Sequence, residues 1–365
     1  MEQEINIKSP IFSLYTLDNI LIIACGGGDK KFGVLNKIIA YQLNEGYFGQ
    51  KLIEENLDEI PEFIEGIPSK KIFGFCSQNK IYFYNLSKDN KSFKKLYTLT
   101  INPKETSLNC FKISNDLLAS GDDKGSLILF KIIFNNEEIN SIDEMASNPN
   151  AHFRGINKIE FGFKNKINYL ITASGDGTCK IFEISKPSFK TFLKMVSFFS
   201  FRQFISEPAN YYMRDLIFIN EKNIAYTIQS PKEGKSFLTK WDVSNINSVK
   251  PIKTINISNV PCPSFDLTED KKYFGITDRE GRIFFVDENN MVITWLKKIG
   301  EDMLKNCRFY KKYFITGSIG YMLRINNLKT KFHFSFFKFI FYATLILGIC
   351  YYIYLKKNKL IDENE

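Results

Sequence analysis

The chain has 365 residues with a formal net charge of +9, and 44% of its residues are hydrophobic. This length suits one large domain or two ordinary ones with a substantial core. The lysines are spread along the chain and match no homeodomain, zinc-finger or basic-zipper pattern, so we predict no nucleic-acid partner. The seven cysteines show no C-x-x-C spacing, which excludes zinc and redox motifs and is typical of a reducing compartment.

The first long apolar stretch, Leu21–Leu43, reads LIIACGGGDKKFGVLNKIIAYQL. Its two apolar runs predict two strands, and the connection from Gly26 to Asn36 exceeds the roughly two to five residues of an ordinary hairpin. No G-K-[ST] closes this connection and G-x-G-x-x-G is absent, so we predict neither a Walker loop nor a dinucleotide site. The glycines of this connection have two possible roles. They can let backbone carbonyls approach an ion closely. Alternatively, they only supply the positive φ values that a connection between strands needs.

An apolar strand, a Gly/Asp turn and a second apolar strand recur along the chain, and aromatic residues, at 15%, suit strands. A lone hairpin cannot bury its face, whereas blades around an axis bury one another. The repeats therefore predict an all-β fold, a seven-bladed WD-type β-propeller over residues 1–330, with little helix. The seven units lie at residues 19–43, 71–86, 117–132, 170–184, 223–243, 273–287 and 313–328.

The fourth unit has the strongest WD character, because Phe182 stands where such repeats place a tryptophan. We predict a structural hydrogen-bonded network of His152, Ser174 and Asp176, with Thr172 as the alternative to Ser174. This role is favoured over a catalytic one for His152.

Two further segments are assigned from composition. Residues 135–150, NNEEINSIDEMASNPN, are polar and predict a flexible surface loop before the fourth unit. Residues 188–204 are interpreted as a strand plus a connection between blades four and five, with an amphipathic helix as the alternative.

Residues 339–355, FIFYATLILGICYYIYL, contain no charged side chain and are just long enough to cross a bilayer. Lysines flank the segment and tyrosines lie near its end, as is typical of membrane interfaces. We predict a transmembrane helix here, and the alternative is a buried C-terminal helix. Residues 331–338 would form a juxtamembrane segment and 356–365 a short lumenal tail.

The N-terminus begins with acidic residues and contains no long apolar core, so it does not resemble a signal peptide. Together with the unpaired cysteines, this places the predicted propeller in the cytosol.

Seven blades, a glycine-rich loop in the first blade and a single C-terminal span resemble the endoplasmic-reticulum exchange factor of COPII budding, the prolactin regulatory element-binding protein family. The family's loop has a run of glycines, a short variable segment, then Gly, Ile or Val, one residue and Asn. The matching residues here are Gly26, Gly27 and Gly28, then residues 29–32, then Gly33, Val34, Leu35 and Asn36.

The resemblance implies a guanine nucleotide exchange factor that promotes GDP/GTP exchange on a Sar-type small GTPase at the endoplasmic-reticulum membrane and so initiates COPII coat assembly. Such a protein performs no covalent chemistry and needs no small-molecule substrate, because exchange requires only tighter binding of the nucleotide-free GTPase. By the resemblance, the GTPase-contacting residues are Asp29, Lys30, Lys31, Phe32, Gly33 and Val34. The loop-shaping and ion-binding residues are Gly26, Gly27, Gly28, Gly33 and Asn36.

The resemblance also implies a potassium ion as cofactor, bound by backbone carbonyls near Phe32, Gly33 and Val34. Two positions depart from the family pattern: Cys25 replaces the first of four glycines, and Phe32 stands where relatives have Asn or Thr.

Two other functions stay open. One is a non-catalytic, membrane-anchored scaffold or tether. The other is an enzyme, which would need clustered His, Asp, Glu or Cys in the central channel, and the sequence indicates no such cluster.

Overall fold

The computed structural model describes residues 3–27, 33–87, 89–101, 106–136, 138–164, 167–185, 191–201, 210–328, 344 and 346–348. It divides the chain into two compact units, Met1–Asn327 and Leu328–Glu365. In the second unit the described residues 344 and 346–348 are helical. Within the described part of the chain, no helix has the length and apolar character needed to cross a bilayer. The predicted span, 339–355, lies almost entirely outside the described residues.

The first unit consists of seven four-stranded antiparallel sheets, which are the blades of a propeller. Blade 1 comprises β2 Ile11–Leu17, β3 Ile20–Cys25, β4 Asn36–Asn44 and β5 Tyr47–Leu57; blade 2 comprises β6 Phe63–Ile67, β7 Ile72–Ser77, β8 Lys80–Leu86 and β9 Phe93–Thr100; blade 3 comprises β10 Leu108–Ser114, β11 Leu117–Asp122, β12 Leu127–Asn135 and β13 Glu138–Asn148; blade 4 comprises β14 Ile156–Lys164, β15 Ile167–Ser174, β16 Thr178–Ser185 and β17 Phe192–Ser200.

The remaining blades follow the same order, from the innermost strand to the outermost. Blade 5 comprises β18 Tyr212–Ile219, β19 Ile224–Ser230, β20 Ser236–Asp242 and β21 Lys250–Ser258; blade 6 comprises β22 Ser264–Leu267, β23 Tyr273–Thr277, β24 Arg282–Asp287 and β25 Val292–Lys298; blade 7 comprises β26 Leu304–Tyr310, β27 Tyr313–Ser318, β28 Met322–Asn327 and β1 Gln3–Asn6. Short 3-10 helices occupy Pro68–Lys70 and Asn220–Lys222.

The all-β, seven-bladed prediction is confirmed. Each predicted repeat corresponds to the second and third strands of one blade, which are flanked on both sides and are therefore the most apolar. Buried clusters lie between successive blades: Ile22, Phe73 and Phe75 join blades 1 and 2, for example. Blades thus bury one another's faces, as the repeat argument required.

The N-terminal strand closes the ring. β1 pairs antiparallel with β28, and Gln3 lies opposite Ile325 while Asn6 lies opposite Met322. Blade 7 is therefore assembled from both ends of the propeller unit, an arrangement that the sequence did not indicate.

The prediction of a flexible surface loop at residues 135–150 is wrong. Most of it is β13, the outermost strand of blade 3, which pairs with β12 from Leu127 opposite Asn148 to Asn135 opposite Glu138. An outermost strand packs on one side only, so a polar sequence suffices to form it. Within residues 188–204, the predicted strand is β17, the outermost strand of blade 4.

The propeller has two rims, which we name by their loops. The glycine-loop face carries the connections from the second to the third strand of every blade and the connections between blades. The opposite face carries the other two connections of each blade. The second-to-third connections are residues 26–35, 78–79, 123–126, 175–177, 231–235, 278–281 and 319–321.

Candidate functional site

The connection between β3 and β4 is ten residues long, against five for the next longest equivalent connection, 231–235. Both ends of the long connection are fixed to the segment that precedes β2. The Gly26 N–H donates to the Pro10 carbonyl at 3.1 Å, and the Ser9 hydroxyl donates to the Leu35 carbonyl at 3.3 Å. The base of the loop is therefore part of the ordered rim.

The glycines at the base allow two chain limbs to approach closely. A Cβ atom on Gly26 would lie 2.3 Å from the Asn36 Oδ1, and one on Gly27 would lie 2.4 Å from the Val34 Cβ. Gly33 differs, because its φ is +72° and an added Cβ would meet nothing within 4 Å. Glycine is thus required by packing at Gly26 and Gly27 and by backbone conformation at Gly33.

The other predicted loop residues, Gly28, Asp29, Lys30, Lys31 and Phe32, lie outside the described residues. Of the carbonyls predicted to bind potassium, only those of Gly33 and Val34 belong to the described chain. They are neutral oxygens, the donor type that potassium takes in place of water, so the described part of the donor set fits this ion.

Cys25, which departs from the family pattern, belongs to β3 rather than to the loop. Its side chain is fully buried, and its thiol lies 3.5 Å from the Lys37 carbonyl. Burial raises the pKa of Cys25 to about 12, so the thiol is an inert core group. The described cysteines are all buried and free.

In blade 4, His152 bonds Asp176 and Thr172. The His152 Nδ1 lies 2.9 Å from the Asp176 Oδ2, and its Nε2 lies 2.7 Å from the Thr172 Oγ1. Ser174 lies beside this network, since its hydroxyl donates to the Arg154 carbonyl and accepts from the Asp176 N–H. Of the two alternatives, Thr172 contacts the histidine.

Blade 5 contains an element that the sequence reading missed. Trp241 is fully buried and its Nε1–H donates to the Thr227 hydroxyl at 2.8 Å, next to Gln229. The signal was the dipeptide Trp241–Asp242, a literal W-D at the end of the third strand. The parts of a WD network are therefore divided between two blades, with the histidine in blade 4 and the tryptophan in blade 5.

The His152 network predicts a pH dependence of stability. Burial lowers the pKa of His152, although Asp176 opposes this effect. The unfolded chain, in which the histidine pKa is near 6.5, therefore binds this proton more readily, so the free energy of unfolding falls as the pH drops below about 6.5.

The measurement is urea unfolding followed by tryptophan fluorescence at pH 7.5 and pH 5.5. We expect the native chain to lose more free energy of unfolding than a His152→Gln variant, by up to about 1.4 kcal/mol per pH unit. Equal losses of unfolding free energy in the native chain and in His152→Gln would contradict the attribution of the pH dependence to His152.

The central channel contains acidic side chains that the sequence did not place there. They come from the innermost strands of different blades, and each lies near a basic partner. Lys112 lies 3.3 Å from Glu65 and 3.5 Å from Glu160, Lys158 lies 3.4 Å from Asp215, and Arg308 lies 3.6 Å from Asp266. Among the described residues, no group of three or more His, Cys, Asp or Glu is placed to hold a metal ion.

No protein-family model matches the chain, and no curated protein matches it either. Solved propellers do match. The crystal structure of Sqt1 from Saccharomyces cerevisiae superposes with a TM-score of 0.62 at 11% identity, covering 90% of this chain and 98% of that one. The WD40 β-propeller domain of Doa1 gives 0.65 at 12% identity, covering 89% and 95%. The computationally designed protein Ika8 gives 0.59 at 12% identity, covering 88% and 98%. At these identities the similarity concerns the fold alone, and the chain has the fold of a seven-bladed WD40-type β-propeller.

Proposed function

We propose that this chain is a guanine nucleotide exchange factor for a Sar-type small GTPase at the endoplasmic-reticulum membrane, where it initiates COPII coat assembly. The observation that carries the proposal is the β3–β4 connection, which at ten residues is twice as long as the next longest of its six counterparts. A blade needs only a short turn at this point, so the extra length is available for a partner.

In this proposal the base and the tip of the loop have different tasks. The close approach of Gly26 to Asn36 and of Gly27 to Val34 holds the base in place. Residues 29–34 contact the GTPase and favour its nucleotide-free state, and that difference in affinity releases GDP. A potassium ion held by carbonyls near residues 32–34 would supply a fixed positive charge that orders the tip.

The proposed location follows from residues 339–355. A single span there anchors the propeller on the cytosolic side, with the tail, 356–365, in the lumen. Activated GTPase is then produced beside the membrane that it must enter, without any covalent chemistry by this chain.

The test is the rate of GDP release from a purified Sar-type GTPase, measured with a fluorescent GDP analogue and the full-length chain in liposomes. We expect the native chain to accelerate release and deletion of residues 28–32 to remove most of the acceleration. The matched control deletes residues 232–234 from the equivalent connection of blade 5 and should retain the rate. No acceleration by the native chain would overturn the proposal.

Two further arms address the tip. Phe32→Ala should slow release if Phe32 wedges apolar surface against the GTPase, and an unchanged rate removes that idea. Replacing potassium with sodium in the buffer should lower the rate if the loop holds the ion.

A non-catalytic scaffold is the second candidate, and one observation favours it. Phe153, which lies on the glycine-loop face between β13 and β14, is 92% exposed. An exposed ring on this face offers an apolar contact that a bound protein can cover. A scaffold would bind the GTPase, and lose affinity on Phe153→Ala, without changing the rate of GDP release.

A further inference from the structure

The central channel contains a cavity of about 390 Å³. Its lining comes from the beginnings of the innermost strands and from connections on the glycine-loop face, so it opens on that face. The lining of the cavity includes Phe12, Arg214, Arg279, Lys305 and Asn306. This cavity lies apart from the loop of blade 1, and the inference from it does not depend on the proposed exchange activity.

Deeper in the channel, Lys112, Lys158 and Arg308 are each engaged in the ion pairs described above. Burial would raise the pKa of Glu65, but Lys112 and Arg308 hold this pKa below its usual value. The cations of the deep layer are therefore already paired with carboxylates, and the cations at the mouth are the ones that an anionic ligand can contact.

Three basic side chains at the mouth form no ion pair within 4.0 Å in the described part of the chain, although the charge of Glu62, which also lines the cavity, acts on Lys305. Arg214 donates to the Ser230 hydroxyl at 3.0 Å and to the Pro231 carbonyl at 2.8 Å. Arg279 donates to the Lys232 carbonyl at 3.4 Å, while its buried Nε has no hydrogen-bond partner. The Lys305 ammonium lies 4.3 Å from the centre of the Phe12 ring.

These cations are held in an unfavourable environment. Burial lowers the pKa of Arg214, and the charge of Arg279 lowers it further. Burial likewise lowers the pKa of Lys305, although Glu62 partly opposes this effect. Two guanidinium groups that repel each other and line one cavity form a donor arrangement that a carboxylate binds.

We propose that the mouth of the channel binds an acidic peptide segment, with Arg214, Arg279 and Lys305 contacting its carboxylates. A peptide is favoured over a single small anion because the three cations come from three successive blades, 5, 6 and 7, around a cavity of about 390 Å³. Several linked carboxylates can contact all three cations at once, whereas one small anion cannot. The nearby Phe12 ring gives the peptide an apolar contact.

The probe is fluorescein-labelled hexaglutamate, with binding to the full-length chain in neutral detergent micelles followed by fluorescence anisotropy at low salt. We expect saturable binding that weakens about tenfold in Arg279→Ala, which corresponds to about 1.4 kcal/mol, and further in Arg214→Ala/Arg279→Ala. Inorganic phosphate, a single small anion, should compete only weakly with hexaglutamate.

The matched control is Lys271→Ala/Lys311→Ala, which removes two positive charges from the opposite face. It should leave the affinity unchanged, and an equal loss in the control would show general attraction to a basic protein. Full competition by inorganic phosphate at a concentration equal to that of hexaglutamate would show that the site takes a free anion, and would overturn the choice of a peptide. Absence of binding to the native chain, with a native thermal unfolding profile in each variant, would also overturn the proposal.

Discussion

Replacing Gly27 with alanine is expected to reduce the proposed acceleration of GDP release about tenfold, which corresponds to about 1.4 kcal/mol. The new Cβ would lie 2.4 Å from the Val34 Cβ, whereas carbon atoms in contact are about 3.5 Å apart or more. The two limbs of the loop must therefore separate by about 1 Å, which displaces the residues proposed to contact the GTPase. The measurement is the fluorescent GDP-release assay described above.

A second substitution makes this prediction specific. Val34→Gly removes the atom that clashes, so Gly27→Ala/Val34→Gly should release GDP faster than Gly27→Ala. Because Val34 is itself one of the proposed GTPase contacts, Val34→Gly alone gives the rate that the double variant should approach. Gly234→Ala, in the equivalent connection of blade 5, is the control and should not alter the rate. A Gly27→Ala chain that retains the full rate would show that the base of the loop is not part of the exchange mechanism.

Glu288→Ala is expected to lower the free energy of unfolding by about 3–5 kcal/mol. The Glu288 side chain is 1% exposed and joins blade 6 to blade 5, where it accepts from the Tyr226 hydroxyl, from Lys240 at 3.1 Å and from Lys222 at 2.7 Å. Removing the carboxylate leaves a buried hydroxyl and a largely buried ammonium without their acceptor. Urea unfolding followed by tryptophan fluorescence measures the loss.

The stabilisation by Glu288 depends on pH in a defined direction. Burial would raise the pKa of Glu288, but hydrogen bonds from Lys222, Tyr226 and Lys240 hold it below its usual value of about 4.5. Its contribution is therefore present above that pH and is lost as the pH falls through the folded-state pKa. Glu221→Ala is the matched control, because it breaks an exposed pair with Lys271 and should cost about 1 kcal/mol or less. A similar loss of unfolding free energy in Glu288→Ala and Glu221→Ala would contradict the role of Glu288 in joining blades 5 and 6.

The paired middle strands of every blade could be predicted from the sequence because they are packed on both sides. Phe73, Leu129 and Ile171 are examples of the resulting apolar runs. The outer strands were harder to predict: Glu138–Asn148 is polar because one side faces solvent, and Gln3–Asn6 is short and pairs with a strand at the far end of the unit. Pairing over such a separation leaves no local signal.

The candidate sites also differ in how far they can be predicted from the sequence. The glycine loop was visible because its residues are contiguous, and His152 was visible because Asp176 follows it at the spacing of a repeat. The basic mouth of the channel was not visible, because Arg214, Arg279 and Lys305 come from different blades and only the closed ring brings them to one cavity. Trp241–Asp242 was present in the sequence but lies in a blade that has no histidine of its own.

The pairing of β1 with β28 has a consequence for biosynthesis. Asn6 leaves the ribosome long before its partner Met322, so at about 5–20 residues per second it waits on the order of tens of seconds. During that interval blade 1 lacks the neighbour that finally covers its free side. The newly made chain should therefore depend most on chaperones just before translation reaches Met322, and a ribosome stalled upstream of this residue would carry a ring that cannot close.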